Sequence, residues 1–151
     1  MIPKFRVWDP MAKTMHEVVA IDFKDWRVYY EAYGLRSYWN NNSVLMQSTG
    51  LHDNTKFEDL SVEEQEDWLE SGKTADEWQG REIFEGDIVE IIYDSEPFTG
   101  VVVYDLGETD FKATNNHEDY GNNFQYLTVG ESIKIIGNVH QHPELIEVSD
   151  D

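Results

Sequence analysis

The stretch from residue 79 to residue 93 constrains the fold more than any other part of the chain. A polar turn, Glu85-Gly86-Asp87, separates a short apolar pair from a run of β-branched and aromatic residues at positions 88–93. Gly86 suits the turn because glycine adopts positive φ without a Cβ clash. β-Branched and aromatic side chains fit a pleated, partly buried surface. Because only Glu90 interrupts the run, we expect a strand that is covered on both faces or ends at a barrel corner.

Alternation of apolar and polar residues predicts further strands along the chain. In the N-terminal part the pattern covers residues 4–9, 15–23, 26–30 and 44–51, and Val19, Ile21 and Phe23 are expected on one face of the second. In the C-terminal part it covers residues 88–93, 98–104, 111–114, 124–127 and 133–139. About five short strands joined by hairpins are typical of a small SH3-like barrel. The sequence therefore predicts a mainly β protein.

An acidic helical insert is predicted between these two β-rich parts. Ser61-Val62-Glu63-Glu64 fits a helix capping box, and a similar pattern begins at Thr74 after a possible stop at Gly72. We expect a helix over residues 62–71 and a further turn over residues 75–78. The predicted organisation is an N-terminal β-rich region (1–51), the acidic insert (52–78) and a C-terminal small barrel (79–151).

The charge of the chain restricts its partners. It has 11 basic and 31 acidic residues, a net charge of −20, and residues 52–96 alone carry −13 of it. Such a surface repels nucleic-acid phosphates and anionic membranes and attracts cationic partners. Cysteine is absent and no apolar run approaches the roughly 20 residues that span a bilayer. The start of the chain lacks the apolar segment of a signal peptide, so we expect a soluble cytoplasmic protein that is not bound to membranes.

Sequence motifs give no indication of catalysis. The nucleophile elbow, phosphate-binding loop, dinucleotide fingerprint and zinc-protease motif are all missing from the sequence. We therefore predict that the protein is not an enzyme and needs no cofactor or metal.

Two clusters are compatible with metal binding but favour a simpler interpretation. Glu82, Glu85, Asp87 and Glu90 could bind a divalent cation, although they lack the spacing of a calcium loop, and Glu85 and Asp87 are expected in a solvent-exposed turn. His140-Gln141-His142 would place two imidazoles on one side of an extended segment. A third ligand such as His117 is not placed by the sequence, so exposed histidines are the preferred interpretation.

The acidic insert contains the candidate docking residues. Two interpretations of its apolar residues are open: they hold the insert on the body of the protein, which is favoured, or they contact a partner. The candidate set is Trp68, Leu69 and Trp78 with the carboxylates of Glu63, Glu64, Glu66 and Asp67.

Basic and aromatic residues near the N-terminus raise a nucleic-acid alternative. Stacking rings beside cationic side chains would suit a single strand, and the residues concerned are Arg6, Arg27, Arg36, Trp8, Tyr29, Tyr30, Tyr33, Tyr38 and Trp39. Their region carries little net charge, which is too weak against −20 overall. Core packing and a subunit interface explain these aromatics better.

Four blocks of sequence together resemble the YopX family, whose members are carried by bacteriophages and prophages. The blocks are residues 4–9, 45–51, 80–89 and 135–139, the last followed by Pro143-Glu144-Leu145. The motif positions they contain are Gly50, Gly80, Glu85, Gly86, Asp87, Gly137 and Asn138. The resemblance implies a mostly β fold and a phage-encoded protein of the host cytoplasm, without implying an activity. In the family a short polar turn stands in place of residues 52–78, and histidine is unusual at positions 140 and 142.

These observations rank four functions. The first is a non-enzymatic phage accessory protein that forms homo-oligomers and binds a protein partner. Because the insert is acidic, a partner with a basic surface is favoured. The second is an acidic mimic of nucleic acid that inhibits a host DNA-binding protein, and the third is a nucleic-acid-binding small barrel. A metal-dependent hydrolase comes last.

Overall fold

Eleven antiparallel strands and one α-helix form the described part of the molecule, a computed structural model covering residues 4–25, 27–31, 35–38, 43–115, 124–128 and 130–146. The N-terminal strands are β1 (Phe5–Asp9), β2 (Thr14–Asp22), β3 (Arg27–Glu31), β4 (Leu35–Tyr38) and β5 (Val44–His52). The helix α1 (Val62–Glu70) follows, and then β6 (Glu82–Phe84), β7 (Asp87–Tyr93), β8 (Glu96–Asp105), β9 (Asp110–Thr114), β10 (Phe124–Tyr126) and β11 (Ser132–Asn138). Trp26, Tyr33, Trp39, His117 and the side chains of Arg36 and Tyr38 lie outside the described residues.

The strands form two sheets, which confirms the mainly β prediction. The first sheet has the order β4-β3-β2-β1-β5-β6 and the second the order β10-β9-β8-β7-β11. Hairpins join β7 to β8 and β8 to β9, as the spacing of the apolar runs predicts. Within the described residues no hydrogen bonding joins β10 to β11, so the C-terminal strands form an open sheet and not a closed barrel.

The core lies around β7. Ile88 and Val89, which point to opposite faces of the strand, are both fully buried, and so is Ile91. The core cluster consists of Ile83, Val89, Ile91, Val102, Ala113, Leu127 and Ile133. Tyr93, at the end of β7, is half exposed. The predicted burial of both faces is therefore confirmed for the first part of the strand.

The three apolar residues predicted to share one face of β2 have different environments. Val19 is 55% exposed and Phe23 is 70% exposed, whereas Ile21 is half-buried. The pairing of β2 with β3 shifts register between Val18 and Ala20, because a bulge there inserts an extra residue. Phe23 lies beyond the end of the strand, in the following turn. Period-two alternation therefore fails along the second half of β2.

The turn Glu85-Gly86-Asp87 connects the two sheets. The prediction that this turn is exposed to solvent is wrong. Glu85 exchanges two hydrogen bonds of 2.9 Å with Gln47 of β5, one through its backbone amide and one through its side chain. Asp87 accepts from Arg6 of β1 at 2.7 Å and from the Phe84 amide at 2.8 Å. The Arg6 and Asp87 side chains are only 14% and 3% exposed. Burial raises the pKa of the Asp87 carboxyl, and the Arg6 guanidinium opposes that rise.

Candidate functional site

The acidic insert folds through local hydrogen bonds that the sequence specifies. The Glu64 amide donates to Ser61 Oγ at 3.1 Å, and the Ser61 amide donates back to the Glu64 carboxylate, which completes the capping box. The helix α1 runs over Val62–Glu70, and Gly72 ends it at a φ of 90°. Short 3-10 turns lie on either side, at Phe57–Asp59 and Ala75–Glu77. The predicted helix and the predicted second turn are both found.

The two ends of the insert meet at one buried carboxylate. The Asp53 amide donates to the Arg81 carbonyl, and the Arg81 amide donates to Asp53 Oδ1, each at 2.8 Å. Asp53 Oδ2 accepts from the Ile135 amide of β11 at 3.0 Å, and the neighbouring Asn54 side chain accepts from Ile133 at 2.6 Å. These bonds satisfy amides on the outer edge of β11, an edge that would otherwise be open to pairing. We call Asp53, Gly80 and Arg81 the latch.

Glycine is required in the latch. Gly80 has a φ of 109°, and a Cβ on it would lie 1.9 Å from the carbonyl oxygen of Asp53. A backbone atom cannot move away as a side chain could, so the close approach of the two chain segments depends on the missing side chain. The latch therefore closes the insert into a compact loop with adjacent ends.

Three aromatic residues pack together inside the insert. Trp68 Nε1 donates to the Thr74 carbonyl at 2.7 Å, and Trp78 Nε1 donates to the Thr55 carbonyl at 2.8 Å. The two indoles meet edge to face with centroids 5.0 Å apart, and Phe57 lies 6.5 Å from Trp78. Both indoles are half-buried. These contacts join parts of the insert to one another, so the interpretation that Trp68 and Trp78 hold it on the body stays a prediction.

A cavity of about 350 Å³ opens beside the two tryptophans. Lys73 Nζ lies over the Trp68 ring, 4.3 Å from its centroid. Charged residues on the other side include Glu82, whose carboxylate lies 3.3 Å from Lys4 Nζ. The full lining is Lys4, His52, Trp68, Lys73, Glu77, Trp78, Gln79, Gly80 and Glu82. We call this space the tryptophan cavity.

The remaining candidate docking residues lie on the outer side of α1. Its exposed carboxylates that form no ion pair with a described residue are Glu63, Glu66, Asp67 and Glu70, which we call the acidic face. Val62 and Leu69, 71% and 50% exposed, lie on the same helix one heptad apart and so form a short apolar stripe beside it.

Glu64 has a different role from the acidic face. Its carboxylate forms an ion pair with Arg81 of the latch at 3.1 Å. Burial opposes its ionisation, but hydrogen bonds from Arg81 and Ser61 outweigh burial and lower the pKa of Glu64. The predicted docking set therefore divides into the cavity residues, the outer residues of α1 and this one supporting carboxylate.

His140 and His142 do not lie on an extended segment. The expectation that such a segment would place both imidazoles on one side is therefore wrong. Residues 139–141 form a turn, in which Asn138 Oδ1 accepts from the His140 and Gln141 amides at 3.1 and 2.9 Å. His140 stacks on Trp8 with centroids 5.5 Å apart. Burial lowers the pKa of His140, and the charge of Arg6 adds to the effect.

The second histidine has a local role in the same turn. His142 Nδ1 accepts from the Asn138 amide at 3.3 Å and lies where a side chain on residue 137 would clash, which explains Gly137. Gly50 and Gly86 adopt φ of 77° and 85°, so the motif glycines Gly50, Gly80 and Gly86 have positive φ. Across the described ranges, no three histidine or carboxylate side chains are grouped to hold a metal ion.

Three of the nine residues suggested for nucleic-acid stacking are shielded from solvent, whereas Arg27 is exposed. Trp8 and Tyr30 belong to the core, and Arg6 is paired with Asp87. Tyr30 also stacks on His16 with centroids 4.3 Å apart. Trp8, Tyr30 and Arg6 therefore cannot belong to the open stacking surface that single strands require.

A buried lysine that the sequence analysis missed lies in the hairpin between β8 and β9. Lys112 is 1% exposed, and its Nζ lies 2.5 Å from Asp105, 2.6 Å from Asp110 and 3.1 Å from Glu108. The rings of Phe124 and Tyr126 lie within 5.3 Å of the same atom. Burial alone would lower the pKa of Lys112, but the three carboxylates raise it far above its usual range. The Lys112 side chain therefore stays positively charged. In the sequence, only the hairpin register of β8 and β9 indicates that Lys112 lies beside these acids.

Comparisons with known proteins give one family match and two structures of similar fold. A family model described as "YopX protein" matches residues 72–147. The structure of protein EF1440 from Enterococcus faecalis is similar over 97% of this chain and 99% of its own, with 24% identity and a TM-score of 0.54. Protein yopX from Bacillus subtilis is similar over 95% of this chain and 98% of its own, with 21% identity and a TM-score of 0.56.

At these identities the two structures establish a similar fold and nothing about activity. No curated protein matches the sequence. In the described residues, no helix combines the length and apolar character that crossing a membrane requires.

Proposed function

The chain belongs to the YopX family, and from that premise we propose that it is a non-enzymatic accessory protein of phage or prophage origin whose acidic insert binds a basic protein. The observation that carries the proposal is the acidic face of α1. Its four carboxylates make no ion pair with any described residue, in contrast to Glu64. A partner with lysine or arginine residues would therefore find these charges unoccupied.

Charge and shape both favour this surface. Residues 52–78 contain ten acidic side chains against Lys56 and Lys73, so the insert is strongly negative within a protein of net charge −20. Opposite charge accelerates encounter and selects partners, while buried apolar contacts add affinity. The apolar stripe of Val62 and Leu69 offers such contacts next to the acidic face.

The insert is also held in place before any partner binds. The latch fixes its two ends, and the aromatic cluster of Phe57, Trp68 and Trp78 fixes its interior. A preorganised surface loses less conformational entropy on association than a disordered acidic segment does.

The absence of a catalytic arrangement is part of the proposal. Two buried ionisable groups are held in ion pairs: Asp87 with Arg6, and Lys112 with three carboxylates. A general base or nucleophile needs to be poised near neutral pH beside a substrate cavity. The ion pairs of Asp87 and Lys112 favour a structural role for both groups.

Neutralising the acidic face tests the proposal. The test variant carries Glu63→Gln, Glu66→Gln, Asp67→Asn and Glu70→Gln. The control variant carries Asp94→Asn, Glu96→Gln, Glu131→Gln and Glu144→Gln, four exposed acids elsewhere on the surface. Both variants raise the net charge from −20 to −16, so a difference between them reports position and not total charge.

Affinity capture from bacterial host cells, followed by titration of each captured protein in purified form, provides the measurement. We expect one partner that the wild type and the control bind alike and that the test variant binds at least about tenfold more weakly, since four rim ion pairs contribute about 0.3–0.5 kcal/mol each. Equal binding by both variants would refute the acidic face as the docking site. Displacement of that partner by duplex DNA would instead indicate the nucleic-acid mimic.

A further inference from the structure

The tryptophan cavity already holds a cation of the protein itself. Lys73 follows α1 and is exposed, and its ammonium lies over the face of Trp68. Trp78 meets the same indole edge to face and forms the adjoining wall. An ammonium or guanidinium over an indole face is the arrangement by which aromatic sites recognise cations. Lys73 makes no ion pair with any described residue, so little besides the indole holds it there.

The lining of the cavity also contains a carboxylate. Glu82 lines the cavity, and its Oε1 lies 3.3 Å from Lys4 Nζ. The Glu82 Oε2 atom is buried and has no hydrogen-bond partner among the described residues. Because Oε2 has almost no accessible surface, the carboxylate acts on a cation in the cavity through its charge. The cavity thus combines an indole face that already contacts a cation with a carboxylate that is paired with Lys4.

We propose that the tryptophan cavity receives an arginine side chain of the basic partner, a proposal that rests on the proposed function. The guanidinium takes the position of Lys73 over Trp68, in the same cavity as the Glu82 carboxylate, whose negative charge favours it. Arginine fits better than lysine because its planar, weakly hydrated head stacks on an indole and still presents donors at its edge. The cavity volume of about 350 Å³ lies at the small end of the range for ligand sites, which suits a single side chain.

Lys73 acts in this proposal as an internal competitor. Binding of an external cation requires Lys73 to leave the indole, so the apparent affinity is reduced by the fraction of molecules in which the face is free. Removal of the Lys73 ammonium should therefore strengthen binding of a cationic probe. Removing the competing cation–π contact of Lys73 should raise the affinity for the probe about twofold to fivefold.

Nuclear magnetic resonance of the indole N–H groups provides the test. The probes are Nα-acetyl-arginine amide, the matching lysine compound and the citrulline compound, which keeps the shape of arginine without its charge. Signals of Trp68 and Trp78 are assigned from the variants Trp68→Phe and Trp78→Phe. We expect the arginine probe to shift both signals, the lysine probe to bind more weakly and the citrulline probe to cause no shift.

Three variants sharpen the result. Lys73→Ala should bind the arginine probe about twofold to fivefold more tightly, whereas Lys56→Ala removes the same charge from the insert and should leave affinity within about twofold of the wild type. Glu82→Gln should weaken binding. Unchanged Trp68 and Trp78 signals in both the wild type and Lys73→Ala would overturn the proposal. So would equal binding of the citrulline probe, or a lysine probe that binds as tightly as arginine.

The same probes separate this inference from the proposed function. The variant with a neutralised acidic face retains the tryptophan cavity and should bind the arginine probe normally. Loss of probe binding with retained partner capture would refute the cavity alone. Normal probe binding, together with a partner that ignores the acidic face, would refute the docking surface alone.

Discussion

Replacement of Asp53 by asparagine should reveal how strongly the latch contributes to stability. Asp53 is 2% exposed and accepts four hydrogen bonds, from the amides of Thr55, Arg81 and Ile135 and from the Thr55 hydroxyl, over 2.8–3.1 Å. Asparagine keeps the size of the side chain but offers only one acceptor oxygen. With that oxygen at the Oδ1 position, the bonds from the Thr55 and Arg81 amides remain, the Thr55 hydroxyl must turn to accept from the new NH₂ group, and the Ile135 amide faces that NH₂ group without an acceptor.

The free-energy change follows from these bonds. A hydrogen bond to a charged group contributes about 1.5–3 kcal/mol, and a neutral one contributes about 0.5–1.5 kcal/mol. Asp53→Asn loses one charge-assisted bond and weakens two others, so the free energy of unfolding should fall by about 3 kcal/mol. That is a large fraction of the stability of a typical domain, about 5–15 kcal/mol.

Urea unfolding followed by circular dichroism measures this change. Asp59→Asn is the matched control, because Asp59 is an exposed aspartate of the same insert, and it should stay within about 0.5 kcal/mol of the wild type. Hydrogen exchange of the Ile135 amide should also accelerate in Asp53→Asn. If Asp53→Asn is as stable as Asp59→Asn, the latch does not hold the insert and our account of its base is wrong.

Three further predictions concern the hairpin lysine, pH and association. Lys112→Met leaves the buried Asp105 without its cation and should lower the free energy of unfolding by about 3 kcal/mol in urea titrations. The control Lys134→Met, at an exposed strand position, should change the free energy of unfolding by less than about 0.5 kcal/mol. Burial against Trp8 lowers the folded-state pKa of His140 below its unfolded value of about 6.5, so stability should fall as pH decreases from about 6.5. The His140→Phe variant should lose less stability than the wild type between pH 7.5 and 5.5. Identical shifts of the urea midpoint in the two proteins over this range would contradict the prediction. Light scattering after size exclusion should detect homo-oligomers at micromolar concentration, and a uniform monomer would refute self-association.

Features determined by neighbouring residues could be predicted from the sequence. The Ser61 and Glu64 capping box depends on two side chains three positions apart, so the start of α1 was predictable from four letters. The strand over residues 88–93 was also predictable, because β-branched and aromatic side chains favour a pleated surface whatever their distant partners are.

Features determined by distant residues could not be predicted. Asp87 looks like an exposed turn residue until Arg6, 81 positions away, is placed beside it. The bulge in β2 exposes Val19 through a local change of register that no apolar pattern encodes. In each case the sequence contains the residues, but the pairing of strands decides their environment.

The latch also determines how the insert should be removed in an experiment. Asp53 and Asn54 accept hydrogen bonds from Ile135 and Ile133, so deletion of all residues 52–78 would leave the amides of a sheet edge unsatisfied. Loss of partner binding would then report damage to the β11 edge as well as loss of the acidic face. Thr55 and Trp78 already lie side by side, because the indole N–H donates to the Thr55 carbonyl at 2.8 Å. A short glycine–serine linker in place of residues 56–77 therefore keeps the latch, removes the acidic face and isolates the contribution of the insert to binding.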